Sequence, residues 1–133
     1  MQLVGFSFSN DRIGVQDSGR YFDLHNNYLL RSYDRSESQL RLFWGRLNEP
    51  WVGSDQPETI VLEIHDVLYF EVRGELSDGL DEIGFFDSST FGNVDYNGLS
   101  SPTLICDVLV LRFNGGGEIA VRGRSASLYS GPA

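Results

Sequence analysis

A chain of 133 residues, 41% apolar and 13% aromatic, has the length of one domain and the composition of a folded one, which excludes global disorder. Its formal charge of −9, from 19 acids against ten arginines and no lysine, opposes binding to phosphate backbones and anionic lipid, so neither nucleic acid nor membrane is an expected partner. No run approaches the roughly 20 apolar residues of a membrane helix, and the lone Cys106 excludes an intrachain disulfide and a cysteine-rich zinc framework.

The opening MQLVGFSFSNDR lacks a basic leader and a long apolar segment, which predicts a cytoplasmic protein. QLVGFSF alternates with the two-residue period of a strand, and IGVQ and YFDLH are short further candidates. YLLRSY and QLRLFWGRL read as a hairpin across a four-residue RSES connection, with Leu40, Leu42 and Trp44 on one face. NEPWVGSDQP then breaks the pattern, because Pro50 and Pro57 cannot donate to a ladder.

TIVLEIHDVLYFEVR is the longest periodic run, with Ile60, Leu62, Ile64, Leu68, Phe70 and Val72 in phase and Asp66 the only intruder. A charged carboxylate in a core costs several kcal/mol when unpaired. A break or bend at His65–Asp66 is therefore expected. SDGLDEIG reads as an acidic turn, and GFFDSSTFGNVDYNGLSSP as a short strand with a long Gly/Ser/Asn connection. TLICDVLVLRF and EIAVRGR form a hairpin across NGGG. Cys106 is read as a small core hydrophobe, and the VLVL run, apolar on both faces, as a central strand or a dimer contact. The whole predicts an all-β single domain over residues 1–127, an antiparallel sandwich or flattened barrel of about 7–9 strands, with a mobile tail over 128–133.

Charge is segregated along the chain. Residues 58–87 hold nine acids against the single base Arg73. Glu71, Glu75, Asp78, Asp81 and Glu82 are the densest part, and such a patch steers and docks a basic protein partner. The sharpest form of that reading is a bacterial toxin-neutralising (immunity) or inhibitor protein without enzymatic activity. The alternative is a carbohydrate- or calcium-binding module using Trp51, His65 and Asp66, with the SDGLDE segment offering oxygen ligands. A small hydrolase using His65 with a carboxylate is a third reading. No nucleophile-elbow, zinc-protease or phosphate-loop motif occurs, so no catalytic residue, metal ligand or cofactor is assigned.

Overall fold

The alternation of apolar and polar residues becomes strands along the whole described chain. The computed structural model describes residues 1–76, 79–87 and 106–131, with backbone alone at 85–87 and 106–107. Twelve strands follow in order: β1 Gln2–Val4, β2 Ser7–Phe8, β3 Gly14–Asp17, β4 Arg20–Asp23, β5 Tyr28–Ser36, β6 Gln39–Arg46, β7 Thr59–His65, β8 Tyr69–Arg73, β9 Leu80–Asp87, β10 Cys106–Phe113, β11 Glu118–Arg122 and β12 Ser125–Ser130. There is no helix among the described residues. The strands form a five-stranded sheet ordered β1-β12-β7-β6-β5, a four-stranded sheet ordered β8-β11-β10-β9 and a three-stranded sheet β2-β3-β4. All pairings are antiparallel except β1 with β12.

This is the expected all-β, sandwich-like domain. Its strand number exceeds the expected range because QLVGFSF holds two strands, β1 and β2, and because β12 was not expected; IGVQ and YFDLH, expected as short strands, are β3 and β4. QLVGFSF, expected as one strand, is cut at Gly5, whose φ of +78° turns β1 and β2 into different sheets.

One core joins the three sheets. Leu40, Leu42 and Trp44 of β6 share it with Ile60, Leu62 and Ile64 of β7, Leu109, Leu111 and Phe113 of β10, and Val15 and Phe22 of the small sheet. Trp44 stacks on Phe113 across the two large sheets at 6.3 Å and 17°. The VLVL run resolves to a central strand: β10 lies between β11 and β9. Leu109 and Leu111 enter the main core, while Val108 and Val110 form a second cluster with Ala120.

The long periodic run breaks where the misplaced carboxylate requires. β7 ends at His65 in the five-stranded sheet and β8 starts at Tyr69 in the four-stranded sheet. Asp66 between them is exposed and adopts φ +52°. The return crossing, Gly123–Arg124 between β11 and β12, packs beside it. Arg124 N–H donates to His65 O at 3.0 Å, and Leu68 N–H donates to Arg122 O at 2.8 Å. The two crossings form one paired corner, a route by which strands switch sheets in a sandwich. Leu68, expected on the core face, is 57% exposed because it lies in the bend, ahead of β8; Phe70 and Val72 keep the expected phase and pack against the core.

Three further expectations change. The β5–β6 connection is two residues, Glu37–Ser38, rather than four, since Ser36 pairs with Gln39 and the Arg35 guanidinium donates to the Glu37 and Gln39 carbonyls. SDGLDEIG is not wholly a turn, because β9 starts at Leu80, pairs it with Phe113 and buries Leu80 and Ile83. The tail expected from residue 128 is strand as far as Ser130: Leu128, Tyr129 and Ser130 pair with Leu62, Val61 and Ile60. Its small residues conceal a strand that lies between β1 and β7. The 88–105 connection and the Cys106 side chain lie outside the described residues.

The corner makes two substitutions diagnostic. A Cβ at Gly123 would lie 2.6 Å from Ile64 Cγ2 and 2.8 Å from the His65 carbonyl. Gly123→Ala is expected to cost about 1–3 kcal/mol in urea unfolding, as overpacking does. Asp66→Val, a β-branched residue at positive φ, should cost about 1–2 kcal/mol more than Asp66→Gly.

Candidate functional site

Glu71 sits mid-β8 opposite Ala120, and Glu82 sits in β9 opposite Arg112, so these two acids occupy opposite edges of the four-stranded sheet. Three strand spacings separate the edges, about 14 Å. A row of alternating charge crosses the sheet between them: Arg73 pairs with Glu118, Glu118 with Arg112, and Arg112 with Glu82. Arg112 reaches Glu118 at 3.5 Å and Glu82 at 3.7 Å. Arg73 Nε meets Glu71 Oε1 at 2.6 Å, and Tyr69 also donates to Glu71. These donors hold the Glu71 carboxyl below the ordinary carboxylate range.

Glu75 and Asp81 differ from their neighbours. Both are exposed, and neither has a cationic partner among the described residues. The turn between β10 and β11 brings them to one end of the sheet. Asn114 N–H donates to Gly79 O at 2.9 Å, which fixes the start of β9. Gly117 lies so close to the Glu75 carbonyl that a Cβ there would fall 1.8 Å from it. Asp78 lies outside the described residues. Of the five acids singled out in the sequence, two are therefore engaged by arginine, and two lie at one sheet end without a cationic partner among the described residues.

His65 belongs to a separate group on the outer face of the five-stranded sheet. β6 and β7 pair Arg41 with Glu63, and the in-register alternation places Gln39 and His65 on the same face. Arg41 Nε donates to Glu63 Oε2 at 2.9 Å, and His65 Nε2 lies 3.3 Å from Glu63 Oε1. Gln39 Nε2 approaches His65 Nδ1 at 3.3 Å, and Arg41 Nη2 donates to Gln39 Oε1 at 3.5 Å. With the ring proton on Nε2, His65 donates to Glu63 and accepts from the Gln39 amide, while Arg41 donates to both Glu63 and Gln39. Both imidazole nitrogens are thereby committed, one to a carboxylate and the other to an amide rather than to a nucleophile. The circuit was not legible in the sequence, because Gln39 and Arg41 meet Glu63 and His65 only through the β6–β7 register.

Trp51 lies in the β6–β7 connection at the far end of β7 from His65, about 20 Å away along the strand. Trp51, His65 and Asp66 therefore do not converge on one ligand. Trp51 is 64% exposed, and its indole N–H donates to Asn26 O at 3.1 Å, which anchors the ring at one edge. The connection is held from beneath. Arg46 Nη1 donates to Gln56 O at 2.6 Å and Ser54 O at 3.2 Å, and the buried Tyr28 hydroxyl donates to Pro57 O at 2.9 Å. His25 is at this same end, its ring on the Leu80 carbonyl, so the two histidines are apart. No group of three or more His, Cys, Asp or Glu side chains suited to a metal ion occurs among the described residues. No helix among them is long and apolar enough to cross a membrane.

Comparison of the chain with protein-family models, curated proteins and solved structures gives no match.

Burial drives the Tyr28 pKa up to about 12 from 10.0. The folded state therefore retains a proton that the unfolded state releases first. The stability from the neutral phenol is complete below pH 10 and declines as pH rises through about 12. Urea midpoints should fall across that window, and Tyr28→Phe should make the fall shallower. At neutral pH the same substitution leaves the Pro57 carbonyl unpaired and is expected to cost about 1 kcal/mol.

Proposed function

We propose that this chain is a non-enzymatic binding protein that docks a basic protein partner at the end of the four-stranded sheet carrying Glu75 and Asp81. The supporting observation is that these two carboxylates remain exposed and without a cation among the described residues, while Glu71 and Glu82 are met by Arg73 and Arg112. An unpaired carboxylate at a surface keeps its field for an incoming cation, whereas a paired one has largely spent it. The concentration of acids in residues 58–87 adds to that field. In its sharpest form the reading is a cytoplasmic immunity or inhibitor protein of bacterial type that neutralises a basic toxin.

The test is capture from the source lysate at low salt, comparing the parent with a Glu75→Gln/Asp81→Asn variant and with Glu71→Gln. The parent should retain a basic protein that salt releases. The double variant should bind it at least about tenfold more weakly, and Glu71→Gln should change binding less, because that acid already has its arginine. A partner retained equally by the parent and the double variant would place docking elsewhere.

A second reading rests on Trp51, whose anchored edge leaves its ring exposed as a stacking platform for a sugar. A glycan that quenches Trp51 fluorescence in the parent, with no binding to Trp51→Ala, is the expected result. An unchanged spectrum across a broad glycan panel removes this reading.

A further inference from the structure

We infer that β5, the free edge of the five-stranded sheet, is a second docking site that takes an extended acidic peptide as an added strand. β5 runs nine residues and, among the described residues, pairs only with β6. Residues 31–36 are all exposed, and the edge away from β6 meets no other strand among the described residues, which leaves it as a template for another chain.

Three features give that edge a chemistry. A depression of about 400 Å³ lies beside it, walled by Leu30, Tyr33 and Leu76 and including Arg31 and Ser32. Tyr33 is held in place edge-to-face on Phe70 at 5.7 Å, so the wall is preformed. Arg31 extends across Gly45, where a Cβ would come 2.8 Å from its Nε, and no carboxylate among the described residues is within ion-pair distance of it. Strand addition supplies backbone hydrogen bonds, the depression takes one apolar side chain, and Arg31 takes a carboxylate as a planar fork. β5 itself carries Arg31 and Arg35 against the single acid Asp34 in a chain of net charge −9, which fits an acidic occupant.

A second copy of β5 fits poorly. Antiparallel pairing centred on Tyr33 sets Arg31 against Arg35, and pairing centred on Asp34 sets the two Asp34 carboxylates against each other. Centring on Ser32 places Asp34 against Leu30. Each register opposes like charges or a charge and an apolar side chain, and like charges directly opposite are destabilising.

Panning a displayed random heptapeptide library against the full chain tests this. The expected sequences alternate β-branched or aromatic residues with at least one acid. Synthesised binders should lose at least about tenfold in affinity to Arg31→Glu, and as much when alternate peptide nitrogens are methylated. Arg124→Glu, an exposed arginine outside β5, should leave affinity within about twofold. Enrichment of basic or proline-rich peptides, indifference to N-methylation, or no enrichment would overturn the inference. So would sedimentation showing a dimer that Arg31→Glu dissociates, since the occupant would then be a second copy. These variants share no residue with those that test docking at Glu75 and Asp81, so either reading can fail alone.

Discussion

The architecture turns on the paired corner at Asp66 and Gly123. A β-strand alternates its faces without interruption, so a run as long as residues 59–73 cannot serve two facing sheets unless its direction changes. Asp66 changes it by occupying positive φ, which aspartate tolerates better than most side chains. Gly123 lets the returning chain approach Ile64 and the His65 carbonyl more closely than any side chain would allow. Because β7 pairs with β12 and β8 with β11, the two crossings are one structural event. They carry the chain from the five-stranded sheet to the four-stranded one and back, and fix which residues face the shared core.

The same registers decide the electrostatics. Arginines far away in sequence are brought opposite acids that looked unopposed: Arg112 reaches Glu82, and Arg41 reaches Glu63. Being planar forks, they meet neighbouring partners in a sheet row without leaving their strand. These pairs are partly exposed and each contributes modestly to stability. Their larger effect is to reduce a diffuse negative stretch to a few carboxylates with fields directed outward.

The surfaces that remain are of different kinds. The outer face of the five-stranded sheet carries the closed Gln39–Arg41–Glu63–His65 circuit, in which each group is already engaged by another. The sheet end at Glu75 and Asp81 carries charge with no cationic partner among the described residues, and the β5 edge carries backbone groups with an arginine alongside. Both proposed sites are surface features at the borders of the sheets, where protein and peptide recognition takes place.

Several elements were legible from residue order. The two-residue period specified an all-β domain, the intruding Asp66 located the break in the longest run, and Leu40, Leu42 and Trp44 announced a core face that the structure buries completely. NGGG marked its hairpin, which joins β10 to β11. The division of QLVGFSF into two strands escaped because alternation continues across Gly5, and β12 escaped because its serines suggest a loop while its pairing with β7 and β1 makes it a strand. The sequence by itself determined where strands must alternate and where a charge could not stay in a core, since both follow from neighbours along the chain. Only the tertiary structure decided which strands pair, and hence which acids meet an arginine and which remain open, because cross-strand register depends on residues far apart in sequence.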